Sequence, residues 1–405
     1  MKRFIQLSFQ TLLIAAITFS LAEAALRLFP GIIPPGLLYH FEPELRQEAA
    51  LGRFLTYGQT VLLERDDGGP PLRLVKPRTN LHWKNPDGKG QTITNTTDEN
   101  GFCNPEGRYV PRQIDVITIG DSFTWCHAVT ADHTWTEGMA RYTGMSAYNL
   151  GRGAVGLYEH IQILKKFGLQ KKPRIVILAV YEGNDLRDAQ RYHAYRREIP
   201  SLHQSDAKPS YSLLRRYSYA ANILYSVRYK LRKKFRYLTK KTDDTDFRYQ
   251  LLLHGQEIAF NIENTDVDEV QFAKRLQNRE IDFQLFDDVV EQFVMLSVRN
   301  AFVPVVAYIP SAHTAYEKYV QFADSTLSTL MPEFSRQQRD YFQRKGQQLG
   351  FLFVDLTPRL QTAAAESSID DLLYLRRTLH LTVRGHDVVA KELVEFIQNQ
   401  DLESE

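Results

Sequence analysis

Residues 114–129 constrain this chain more than any other stretch, because a short run of β-branched residues there stops abruptly at a polar turn. Ile114, Val116, Ile117 and Ile119 form the kind of run expected of a strand covered on both faces, as in a parallel sheet. Gly120-Asp121-Ser122 then breaks the run. A helix starting just after the break would leave Ser122 at the carboxyl end of a strand and at a helix N-terminus, where free backbone N–H groups favour developing negative charge. Open α/β sheets bind their ligands at that edge.

Downstream, strand and helix patterns alternate. The spacing predicts a helix over 134–142, with Thr134 and Glu137 at capping-box separation. A short strand over 147–150 runs into Gly151-Arg152-Gly153-Ala154, and helical periodicity returns over 157–167. Residues 174–180 are the clearest strand in the chain, and Tyr181-Glu182-Gly183-Asn184-Asp185 ends it. Helices over 283–300, 333–349 and 383–397 and strands over 303–309 and 351–355 complete the pattern. Five strands with interleaved helices predict a three-layer α/β/α, flavodoxin-like parallel sheet whose polar strand ends share one edge.

Four short blocks sit at or near those strand ends. Gly120-Asp121-Ser122-Phe123, Asn149-Leu150-Gly151-Arg152-Gly153, Gly183-Asn184-Asp185, and His380-Leu381-Thr382 with Gly385-His386 resemble, in order, the blocks of the SGNH (GDSL-type) esterases and acylhydrolases. The resemblance covers roughly residues 115–397, interrupted by an insertion. One Gly-Asp-Ser tripeptide alone is a weak signal; four blocks in order are a specific one. Thr124 stands where the second glycine of a G-x-S-x-G elbow would be, which separates the chain from the α/β-hydrolases.

The resemblance implies an ester hydrolase that forms an acyl-enzyme on Ser122, with His380 as the base. It implies an oxyanion hole from Ser122, from a backbone N–H at Gly153 or Ala154, and from the Asn184 amide. His386 is the rival base, although its place in the last helix fits a helix-start or packing role. A close variant is an O-acyltransferase or deacetylase acting on cell-surface glycan. No cofactor is implied, and the eleven histidines show no spacing with carboxylates or cysteines of the kind zinc needs.

At one point the chain departs from the family. The usual aspartate two or three residues before the histidine is absent, and Arg377 and Thr378 occupy those positions. Losing the group that holds the imidazole tautomer lowers turnover by on the order of 10⁴. Three outcomes stand open: a substitute carboxylate from Asp371, Asp370 or Asp355; a slower dyad oriented by Thr378 or a backbone carbonyl; or a site that no longer turns over. The last would make the protein a glycan-binding or assembly protein on the same scaffold.

The remaining expectations concern export and organisation. Lys2 and Arg3 precede an apolar stretch over 4–28, uncharged over 11–22 and followed by Pro30, Pro34 and Pro35. It reads either as a signal peptide cleaved near Ala22-Glu23-Ala24 or as a retained membrane anchor with its basic end in the cytoplasm. The anchor is preferred, since the run approaches the ~20 residues needed to span and such leading helices often remain in the family. Either way the catalytic domain is expected outside the cytoplasm. In an oxidising compartment the only two cysteines, Cys103 and Cys126, are expected to pair.

The expected division is an anchor or signal over 1–30, an accessory segment over 31–112 and a hydrolase domain over 113–398 with an insertion at about 190–282. That insertion interleaves Arg215, Arg216, Lys230, Arg232, Lys233, Lys234, Arg236, Lys240 and Lys241 with tyrosines. It reads as a helical cap, a membrane-surface helix or a polyanion groove. The expected partners are an ester or O-acylated glycan and a membrane. A formal net charge of +2 gives no support for nucleic acid.

Overall fold

The computed structural model describes residues 2–38, 41–50, 55–57, 59–63, 71–84, 92–193, 211–239, 247–262 and 267–402. The acidic link at 242–246, with Lys240 and Lys241 before it, lies outside the described residues.

The site is built on one sheet. Strands β1 (Val116–Ile119), β2 (Ala147–Asn149), β3 (Ile175–Tyr181), β4 (Val303–Ile309) and β5 (Leu352–Asp355) pair in the order β5-β4-β3-β1-β2, every pair parallel. All residues of β1, β2 and β3 are buried, which is why their sequences run apolar instead of alternating. Successive side chains nonetheless point to opposite faces. Val116, Ile175, Ile177, Ala179, Val305 and Ala307 pack with Trp135, Met139, Leu360, Val389 and Leu393, from the helices Trp135–Thr143, Thr357–Ala365 and Val383–Asn399. On the opposite face Tyr308 meets Phe342 of the helix Leu327–Leu349. Helices therefore cover both faces, giving the α/β/α layering of a flavodoxin-like fold.

The chain order places a switch point between β1 and β3, since connections leave that pair in opposite directions along the sheet.

Two elements differ from the sequence reading. No α-helix follows Ser122: residues 122–128 form turns, with the Thr124 and Trp125 N–H groups both donating to the Asp121 carbonyl, at 3.2 and 3.0 Å. Ala128 adopts φ +61° and Cys126 is tied to Cys103, so the segment is redirected before a helix can propagate. Within the expected helical insertion, Tyr249–Leu253 and Gln256–Phe260 form an antiparallel hairpin. Its turn carries His254 and Gly255 at φ +48° and +80°, matching the twist a tight hairpin needs. Val320–Phe322 adds a third strand.

The chain forms two compact units, residues 1–74 with 196–243, and residues 75–195 with 244–405. These cut across the boundaries expected at 31–112 and 190–282. The reason in the second unit is a polar brace. Buried Asp98 accepts from the backbone N–H groups of Asn100 and Phe102, from Asn104 Nδ2 and from Tyr148 Oη on β2, so the segment before β1 belongs with the sheet. In the first unit the helix Lys2–Leu28 contains, among the described residues, the one stretch long and apolar enough to cross a membrane, Phe9–Leu28 with mean hydropathy 1.6.

Candidate active site

The turn after β1 is sterically determined. A Cβ on Gly120 would lie 2.1 Å from Thr124 Oγ1, so only glycine lets the chain leave the strand there. Asp121 Oδ1 accepts from the Phe123 N–H at 2.9 Å and holds the turn. The Asn149 side chain locks the second block against the first, donating to the Thr124 carbonyl and accepting from the Gly151 N–H, both at 2.7 Å. Cys103 and Cys126 are disulfide-bonded, which fastens the braced segment to the same turn.

Ser122 and His380, 258 residues apart, meet at this edge. The Ser122 Oγ to His380 Nε2 distance is 2.8 Å. The imidazole is set by an aromatic stack: Phe123 lies 4.9 Å from it and 3.7 Å from Tyr181, by ring centroids. His127, which the sequence reading did not single out, lies against the same imidazole at 3.9 Å. Its only sequence signal is a position five residues past Ser122.

Burial pushes both imidazoles toward the neutral form. His127 is lowered to about 4. His380 lies well below its ordinary value through burial and the neighbouring His127. A neutral ring can accept the Ser122 proton at Nε2. Nδ1 of His380 is sealed from solvent and has no hydrogen-bond partner among the described residues. The Thr378 carbonyl favours the protonated ring without completing a bond of good geometry to Nδ1.

None of the proposed substitute carboxylates reaches that nitrogen. Asp371 pairs with Arg384 at 3.2 Å, and Asp370 is exposed. Asp355 pairs with Arg339 at 3.2 Å and accepts from the Thr357 N–H at 2.9 Å. Asp371 and Asp355 are held by those partners, and among the described residues none of the three carboxylates is hydrogen-bonded to His380 Nδ1. His386 is fully occupied elsewhere: its Nδ1 accepts from the Trp135 N–H at 3.2 Å, satisfying a free donor at a helix start.

Of the two backbone positions considered for the oxyanion, Gly153 stands against Ser122, since a Cβ there would lie 3.5 Å from that of Ser122. Ala154 is exposed with φ +63°. Asn184 donates through Nδ2 to Asp188 at 3.2 Å and also favours the ionised form of Asp121. Asp121 is nonetheless pushed up to about 6 by burial, and its buried neighbour Asp185 well above the carboxylate range.

No family model matches this chain, and no curated protein does. Among solved structures the chain is similar to esterases and hydrolases. A lipolytic-type protein of the G-D-S-L family from Desulfitobacterium hafniense is 12% identical over 70% of this chain and 99% of that one, with a TM-score of 0.35. A catalytic mutant of an acetylxylan esterase from Geobacillus stearothermophilus is 11% identical over 71% and 96%, at 0.37. An alpha/beta hydrolase from the metagenome of Lake Arreo, Spain, is 12% identical over 74% and 100%, also at 0.37. The fold assignment here stands on this chain's own strand order.

A second histidine cluster lies at the ends of β3 and β4. His313 Nε2 is 3.0 Å from Glu269 Oε1 and 4.0 Å from Glu182 Oε1, all three side chains being buried. Glu182 accepts from Thr314, Ser335 and Tyr308 hydroxyls at 2.6, 2.8 and 3.0 Å, and Glu269 from Ser311 at 2.6 Å. The three ligand-type atoms lie within 4.8 Å of one another, close enough for a metal ion to draw together. Residues so far apart in the chain leave no spacing for sequence reading to detect. Three hydroxyl donors engage Glu182, and the cluster forms a hydrogen-bonded tie between β3, β4 and the helices Val267–Gln277 and Leu327–Leu349.

Proposed function

We propose that this chain is an SGNH-type serine ester hydrolase working through an acyl-enzyme on Ser122. The observation that carries this reading is the 2.8 Å contact between Ser122 Oγ and a neutral His380 Nε2 at the sheet's switch point. Ser122 Oγ bonds to the acyl carbon while its proton passes to Nε2. The Ser122 and Gly153 N–H groups and the Asn184 amide hold the oxyanion. Collapse breaks the bond to the leaving alcohol, which takes the proton from Nε2, and water repeats the sequence to release the acid.

The leading helix holds the protein to a membrane, with Lys2 and Arg3 inside and the second unit outside the cytoplasm. The disulfide fits an oxidising compartment. The natural ester is an O-acylated glycan or lipid of the cell surface, and transfer to a sugar hydroxyl uses the same intermediate.

The unpaired Nδ1 of His380 favours one alternative, a glycan-binding protein without turnover. Hydrolysis of a small acetyl ester separates the two. Turnover lost in Ser122→Ala and His380→Ala but kept in His386→Ala supports the enzyme; no turnover in the wild type, or loss only in His386→Ala, overturns it.

A further inference from the structure

The first unit contains a helix, Tyr219–Thr239, one face of which carries exposed apolar side chains. Its inner face is well accounted for: Tyr219 packs with Phe41, Leu45 and Leu38, and the buried Asn222 and Ser226 bond to neighbouring backbone. Leu224, Val227 and Leu231 are 62%, 40% and 52% exposed. Their spacing of three and four residues puts them on one stripe. Arg228 and Arg232 border the stripe and are exposed, and Tyr225 and Tyr229 stack beyond them at 6.4 Å. An apolar stripe edged by arginine and tyrosine is the composition of a helix lying in a membrane interface.

A second observation fixes where this helix begins. Glu23, in the apolar helix Lys2–Leu28, accepts from Ser218 Oγ at 2.8 Å and from the N–H groups of Tyr219 and Ala220 at 3.1 and 2.9 Å. A carboxylate from one helix thus caps the start of the other. Arg27 pairs with Glu23 at 2.8 Å, donates to the Tyr217 carbonyl and lies over the Tyr219 ring. Glu23 and Arg27 fall in the last turns of Phe9–Leu28. The contacts therefore pin the start of the amphipathic helix at the end of the candidate span.

We propose that the Leu224–Val227–Leu231 stripe rests on an anionic lipid surface beside the anchor, as a second, interfacial attachment. This rests on the membrane reading of the first helix. Each arginine gains from nearby anionic headgroups, and the leucines enter the headgroup boundary to a depth of roughly 5–10 Å. Two attachments, one spanning and one lying flat, hold the first unit against tumbling about the anchor.

The test uses the full chain reconstituted in vesicles of anionic phospholipid carrying bromine at shallow acyl positions. Leu224→Trp and Leu231→Trp report contact, Leu13→Trp reports insertion of the anchor, and Val298→Trp is the exposed control on the second unit. Emission above the background of the three native tryptophans is expected to fall by about half at 224 and 231, given the shallow depth, and to be unchanged at 298. Removing charge in Arg228→Gln/Arg232→Gln should weaken that quenching. Quenching at 13 but not at 224 or 231 overturns the proposal and leaves the anchor standing. No quenching at 13 overturns the membrane reading itself. If soluble acidic polysaccharide shifts the emission at 224 and the bilayer does not, the face binds glycan and the lipid assignment fails.

Discussion

Two buried imidazoles at the same sheet edge are treated in opposite ways. His313 has carboxylates at 3.0 and 4.0 Å and touches no candidate reacting group. His380 touches the Ser122 hydroxyl, and among the described residues no carboxylate is bonded to its Nδ1. Beside His313 the carboxylates tie elements together; at His380 burial keeps the ring neutral and free to accept a proton. The fold thus has its firm His–carboxylate pairing at the tie and a weaker base at the proposed reaction site.

The sharpest way to break this comparison is to delete each ring in turn. His380→Ala is expected to lower acetyl-ester turnover by a factor on the order of 10⁴ or more while shifting the urea midpoint little. His313→Ala should do the reverse, losing roughly 3–5 kcal/mol of stability because its close buried pairing with Glu269 is broken. Equal stability losses would mean that the two rings do the same structural job. Next in size is the disulfide, which closes a loop across a separation of 23 residues. Reducing it should cost about 3 kcal/mol, measured by denaturation with and without reductant, and should loosen the serine turn before the His313 tie.

A smaller effect sharpens the contrast from the other side. Thr378→Asp restores a carboxylate two residues before His380 and is expected to raise kcat tenfold or more, since that group contributes on the order of 10⁴ where its geometry is ideal. It should also raise the ring's pKa. The pH profile gives the smallest signal. With His380 held well below its ordinary value, kcat/KM should stay level as pH falls through about 6.5, because the neutral base persists until its lowered pKa is reached. A limb near pH 6 that disappears in Asp121→Asn belongs to that buried carboxyl, pushed up to about 6.

What could be read from the residues follows how locally each feature is encoded. The β1 run, the glycine turn and the four blocks are contiguous, and the five-strand order follows from their alternation with helices. The hairpin at 249–260 was missed because its third strand, Val320–Phe322, comes sixty residues later and its turn, His254-Gly255, is not a common pair. The tie is illegible for a similar reason: Glu182, Glu269 and His313 come from three separate elements. Nearness in sequence to His380 says nothing about prior commitment. Arg384 and Arg339 already hold Asp371 and Asp355.

The central claim is that Ser122 is a nucleophile activated by His380 without a carboxylate behind it. Labelling with a serine-directed fluorophosphonate, followed by peptide mass spectrometry, tests it most directly. The expected result is one adduct, on Ser122, absent in Ser122→Ala, slowed at least a hundredfold in His380→Ala, where a general base is worth ~10²–10⁴, and unchanged in His386→Ala. Wild-type protein that stays unlabelled, or labelling indifferent to His380, would contradict it.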